Sequence, residues 1–175
     1  EDAEPDLQAA NECFLAWRHW SEELGGAELA DKHPDLVNDY VHWHVDEGRK
    51  QTGPYLARIE EQRTKVYRHM QEFMSKYDYF ILPVNQVLPF DITIKYPTEI
   101  AGTKMETYIA WMKSAYWIST VGNPAMSVPC AFSSTGLPIG IQIVGRHHDD
   151  WGVLQMGYAF EQATQLTNKR PPIAV

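Results

Sequence analysis

The 175-residue chain carries 44% apolar side chains, 22% charged residues and a net charge of −8. That balance belongs to a globular protein with one real core; it excludes a disordered chain and argues against a nucleic-acid-binding surface. No apolar run reaches membrane-spanning length and no signal-peptide pattern opens the sequence, so no membrane partner is expected.

Leu7, Ala10, Phe14, Trp17 and Leu24 recur near helical spacing, which predicts a first helix over residues 6–24. Gly25-Gly26 is expected to end it. Pro34 reads as the start of a second helix carrying Tyr40, Val41, Trp43 and His44, with Gly48 close to its end. Thr52-Gly53-Pro54 signals a third helix, with Leu56, Ile59, Val66, Met70, Phe73 and Tyr77 as its apolar stripe and Ser75-Lys76 as its stop.

Residues 79–84 form a continuous apolar run, which predicts a strand buried on both faces, as in a parallel or mixed sheet. Residues 85–100 contain Pro89 and Pro97 and read as an irregular connection, a common place for sites. Thr103-Lys104-Met105-Glu106 fits a capping box and predicts a buried helix running to about Thr120. Gly122-Asn123-Pro124 ends that helix, and residues 125–132 and 138–144 form a hairpin around Ser133-Ser134-Thr135-Gly136. Ile139, Ile141 and Ile143 share one face of its second strand. Asp149 or Asp150 caps a last helix with Val153, Met156, Gly157, Phe160 and Ala163 facing inward, and residues 168–172 form a tail. Helices and strands alternate in the second half, so the expected class is α/β. One domain is expected over 1–175, mostly helical over 1–77, with the strands, buried helix, hairpin and final helix in 78–175.

Serines stand at 21, 75, 114, 119, 127, 133 and 134, none in Gly-x-Ser-x-Gly and none in Ser-x-x-Lys. Ser133-Ser134 reads as local capping in a turn. His42 and His44 diverge on a helix, and His147-His148-Asp149-Asp150 sits where a helix needs a cap, so no metal site is assigned, although a metal hydrolase built on either pair is a weighed alternative. Adjacent carboxylates such as Glu60-Glu61 read as solvated helix faces. No glycine-rich phosphate loop is present, and no cofactor is implied. Cys13 and Cys130 lie far apart and read as reduced thiols, the cytoplasmic default, although two cysteines could pair in a secreted protein; Cys130 reads as a small buried residue of the hairpin.

Residues 120–146, TVGNPAMSVPCAFSSTGLPIGIQIVGR, followed by AFEQAT at 159–164, closely resemble the C-terminal part of amidase-signature hydrolases. The likeness extends back through KYDYFILP at 76–83, VLPFD at 87–91, YPTEI at 96–100 and YIAWM at 108–112, and covers the chain from about His42 to Thr164. PFD and YPTEI look more like bacterial amidases of small or aromatic amides than like the tRNA-dependent amidotransferase subunit. Ala131 stands where that family usually has glycine.

The resemblance implies an incomplete domain, the C-terminal part of an α/β/α fold with a mixed sheet flanked by helices. It implies hydrolysis of a carboxamide through an acyl-enzyme, with a serine nucleophile in a Ser–Ser–Lys relay and an oxyanion hole of backbone amides. The family carries those groups in a glycine- and serine-rich segment that has no match here, so no catalytic residue is assigned and the isolated chain is expected to be inactive. The opening at Glu1, without methionine, is consistent with a piece of a longer polypeptide. The resemblance assigns substrate binding to Asn85, Gln86, Phe90, Trp111, Met112, Ala115, Tyr116 and Ser119. Expected partners are the N-terminal catalytic portion of the same protein and a small-molecule amide, with a homodimer left open. The competing reading is a non-catalytic α/β binding or interaction module, motivated by the aromatic load of six Trp and nine Tyr; an exposed apolar patch along 111–116 would fit either a partner or the missing portion.

Overall fold

A computed structural model describes residues 1–169. It divides into two compact units, Glu1–Met70 and a second from Gln71 onward.

The first unit is helical. Helix α1 spans Ala10–Lys32. It runs straight through Gly25-Gly26, where sequence reasoning placed its end. Tertiary packing overrides the roughly 1 kcal/mol cost of a mid-helix glycine. Pro34 opens only a short 3₁₀ turn, Pro34–Leu36. The second helix, α2, is Asp39–Arg49, because the Asn38 side chain accepts from the Tyr40 amide and supplies the cap. Gly26 of α1 faces α2, where an added Cβ would sit 3.3 Å from Val41 Cγ1. Where the two helices pass, a Cβ on Gly48 would fall 2.4 Å from the His19 carbonyl oxygen, so only glycine permits this approach.

Helix α3 spans Gly53–Met74, as the stripe predicts. Its Ile59 joins Cys13 and Ala16 of α1 in a buried cluster, with Tyr55 packed against it. Burial pushes the Cys13 thiol up to about 11, which makes it an inert packing group. Trp17 Nε1 donates to Glu60 Oε1 at 2.8 Å on the same helix pair.

The second unit is built on strands. In chain order, β1 is Phe80–Pro83, β2 is Glu99–Ile100, β3 is Thr103–Lys104, β4 is Ala125–Phe132 and β5 is Pro138–Val144. Three of them form a sheet in the order β1-β5-β4. Both pairings are antiparallel, with Pro83 opposite Ile141 and Ser127 opposite Gln142. The expectation that residues 79–84 are covered on both faces fails: Phe80 and Leu82 are half-buried while Ile81 and Pro83 are exposed. An antiparallel strand can leave one face to solvent, and a pure apolar run does not distinguish that case. The register slips between Pro129 and Ala131, leaving Cys130 in a bulge, half-buried rather than in the core.

The predicted helix from Thr103 also fails at its start, because β2 and β3 pair with each other there. Ala101 (φ 48°) and Gly102 (φ 80°) form the two-residue turn between them, the left-handed pair that closes a tight hairpin. Thr103 is therefore a ladder residue and not a cap. A short 3₁₀ turn, Ala110–Met112, leads into α4, Lys113–Val121. Gly122 (φ 72°) then ends α4 in the left-handed conformation, as its position in the sequence implies.

Helix α5 spans Asp150–Thr164, with the Asp149 side chain accepting from the Gly152 amide. Val153 and Gly157 are buried, and a Cβ on Gly157 would meet Met126 Sδ of β4 at 2.3 Å. Ala163, expected to face inward, is exposed. The tail prediction over 168–172 falls largely outside the described residues. The strands, helices and their alternation are those of an α/β protein.

Candidate functional site

The second unit contains a cleft of about 530 Å³ at the C-terminal end of β1. Its floor is the loop that leaves β1, residues 83–90; its sides are Trp111 and the start of β5, Pro138 to Gly140. The lining is apolar apart from the carboxamides of Asn85 and Gln86. Among the described residues that line it, there is no hydroxyl, thiol, imidazole, amine or carboxylate side chain.

Hydrogen bonds fix that geometry. Gln86 Oε1 accepts from the Lys113 amide at 2.8 Å, satisfying an orphan donor at the start of α4. The Gln86 amide in turn donates to the Trp111 carbonyl at 3.4 Å. Ser114 Oγ donates to the Val84 carbonyl at 2.8 Å. Gln142 Nε2, buried, donates to both the Pro83 carbonyl (3.2 Å) and the Ser114 carbonyl (2.7 Å). One side chain thus pins the end of β1 to the first turn of α4. Phe90 and Trp111, both lining the cleft, meet edge to face at 5.4 Å and 84°, a favourable aromatic arrangement.

Of the residues assigned from sequence, Asn85, Gln86, Phe90 and Trp111 line this cleft. Met112, Ala115, Tyr116 and Ser119 lie on the turn and helix behind Trp111 and are not among its lining residues. Met112 and Ala115 are partly buried and Ser119 is exposed. Tyr116 is buried, and desolvation raises its phenol well above the ordinary range, so it stays neutral. The stretch 111–116 is not an exposed apolar patch: Trp111 is partly covered and Tyr116 is core. Exposed large apolar side chains occur elsewhere, including Ile92, Trp151 and Tyr158.

Among the residues that sequence reasoning missed are Leu88 and Pro89 on the floor and Pro138, Ile139 and Gly140 on the wall. The first two lay within the loop already singled out. The last three are brought in by the β1–β5 register, a long-range pairing that local spacing does not encode.

The histidines go elsewhere. His42 Nε2 donates to the Pro34 carbonyl at 3.0 Å, while His44 Nδ1 faces His19 Nδ1 at 3.0 Å, so the two rings diverge as the helix dictates. His147 and His148 meet edge to face beside the α5 cap. Among the described residues no group of three or more His, Cys, Asp or Glu side chains is placed to hold a metal ion. No described helix is long and apolar enough to cross a membrane.

An antiparallel hairpin backed by a helix, with an amide-edged apolar cleft at the strand ends, makes an α/β unit with room for a small organic molecule. A family model described as Amidase matches residues 23–154, and the chain belongs to that family. It is 33% identical over 121 residues to a glutamyl-tRNA(Gln) amidotransferase subunit of Moorella thermoacetica, covering 69% of this chain and 23% of that protein. It is 29% identical over 136 residues to an acylamidase of Rhodococcus erythropolis, covering 77% of this chain and 28% of that one. Among solved structures it superposes on a bacterial aryl acylamidase of the amidase signature family with a TM-score of 0.81 at 20% identity, over 94% of this chain and 37% of that chain. The 6-aminohexanoate cyclic dimer hydrolase gives a TM-score of 0.81 at 19% identity, over 100% of this chain and 39% of that chain. The fold is therefore that of amidase signature enzymes. The chain spans 23% of the length of the curated relatives that match it first.

Proposed function

We propose that residues 1–175 supply the substrate-binding wall of an amidase that hydrolyses a carboxamide through an acyl-enzyme. In this reading the nucleophile and its Ser–Ser–Lys relay stand on polypeptide outside 1–175, in the N-terminal catalytic portion of the same protein. The single observation that carries it is the cleft lined by the loop after β1, Trp111 and the start of β5. It offers an apolar slot and two carboxamides, which suit an acyl or aryl group and its amide, and its described lining holds nothing to attack a carbonyl. Trp111 and Phe90 form the slot; Asn85 and Gln86 orient the substrate amide; Met112, Ala115, Tyr116 and Ser119 support Trp111 from behind. The whole of 1–175 then acts as part of one larger domain, in a cytoplasmic enzyme whose two cysteines are free thiols.

Relatives of two kinds match, an acylamidase and a component of a tRNA-dependent amidotransferase. The aromatic slot suits a small or aromatic amide better than the glutamyl-tRNA(Gln) that the second relative's name carries. The test is direct. The isolated chain should release no aniline from an acetanilide and take no label from a fluorophosphonate, yet bind acetanilide by ligand-observed NMR. Trp111→Ala should weaken that binding roughly tenfold, the scale of one lost aromatic contact. Fluorophosphonate-sensitive turnover by the isolated chain would overturn the placement of the nucleophile. Binding that ignores Trp111→Ala would overturn the cleft and leave a non-catalytic interaction module as the better reading.

A further inference from the structure

Two buried imidazoles meet where α1 crosses α2, and nothing in the proposed amide chemistry uses them. His19 of α1 is 9% exposed and His44 of α2 is 1% exposed. Their Nδ1 atoms face each other at 3.0 Å. Trp43 packs edge-on against His19 at 4.9 Å and lies 4.6 Å from the His44 ring. One turn further along α2, Gly48 touches the His19 backbone so closely that a single Cβ would collide with it. The two helices are therefore in close backbone approach beside the buried ring pair.

An Nδ1-to-Nδ1 hydrogen bond needs one N–H and one lone pair. At least one of the rings must therefore be neutral. If both take a proton, two N–H groups and two positive charges oppose each other at 3.0 Å inside the unit. The surroundings are set against that outcome. Burial, then His19, then Arg18 lower the proton affinity of His44, from an ordinary 6.5 to about 4. Burial also lowers His19, aided by Lys50 and opposed by Glu47. Arg18 is already held by Glu22 at 2.8 Å and Glu47 by Lys50, and Glu12 and Tyr55 border the cavity on the open side of His19.

We propose that His19 and His44 form an acid-sensitive latch that holds α1 to α2 while one ring is neutral and releases them when both are protonated. Because His44 binds its proton more weakly folded than unfolded, the latch is complete above about pH 6.5. It weakens as pH falls toward about 4, where the folded form also titrates. The consequence is a helical unit whose α1–α2 contact weakens progressively as pH falls from about 6.5 toward about 4.

The experiment follows chemical unfolding of the full 175-residue chain between pH 7 and 4.5, with Trp fluorescence as the readout. The unfolding constant should rise as pH falls. His44→Gln keeps an acceptor for His19 and cannot titrate, and it should remove roughly a hundredfold of that rise. His42→Gln, two positions earlier on the same helix, should leave it unchanged. Equal slopes in all three chains would overturn the latch. If His44→Gln does not fold at pH 7, the ring-proton NMR titration of the unsubstituted chain decides. A His44 resonance that stays neutral to pH 5 supports the latch, and one that titrates at an ordinary value sinks it.

Discussion

Several single residues carry geometry out of proportion to their size. Gln142 is the clearest, because its side-chain amide donates to the carbonyls of both Pro83 and Ser114. Gln142→Leu removes both donors and leaves two acceptors short. It should cost about 1–3 kcal/mol in chemical denaturation and loosen Trp111 at the cleft. Gly48→Ala should cost a similar amount, about 1–3 kcal/mol, because its new methyl would sit against backbone that cannot rotate away. Gly25 is the contrasting case: it lies inside α1 with open space where a Cβ would go. Gly25→Ala should raise stability by about 1 kcal/mol, visible as a higher melting temperature. The sequence marks Gly25 and Gly48 as helix-end signals but not which of them is crowded, since crowding is decided by the partner element.

At the scale of elements, the sequence was most legible where period and punctuation agreed. The stripe from Leu56 to Met70 predicted α3, and Gly122 predicted the end of α4. It misled where two local readings competed. Thr103-Lys104-Met105-Glu106 has the spacing of a capping box, yet Ala101-Gly102 just before it makes a hairpin turn and draws Thr103 into a ladder. Gly102→Val should therefore strain the β2–β3 turn, whereas Thr103→Ala should not cost the helix its usual cap penalty of about 1 kcal/mol. Asp149→Ala is the true cap deletion. It should lose about 1 kcal/mol, read by thermal melting, because the Gly152 amide then has no side-chain acceptor.

At the scale of the whole molecule, the family was readable from motif order, and the α/β class from alternation. The cleft was readable only on the side formed by residues 85–111. Its other wall comes from β5, which reaches β1 through a pairing separated by about 60 residues in Pro83↔Ile141. Local patterns carry no information about such a partner. The latch was invisible for the same reason: His19 and His44 are ordinary residues of their own helices and acquire meaning only where those helices cross. Latch and cleft involve different residues, which separates two failures experimentally. Losing the latch should alter acid tolerance without touching acetanilide binding, and losing Trp111 should do the reverse.

The bulge at Cys130 has a colloidal consequence. Pro129 offers no amide hydrogen and Cys130 falls out of step, so the rim of β4 presents a broken row of donors and acceptors. A foreign backbone laid along it should fail to template a continuous stack, and concentrated material is expected to stay dispersed in light scattering. Pro129→Val would mend one of those breaks, and the mended rim should seed thioflavin-positive fibrils that the parent chain does not form.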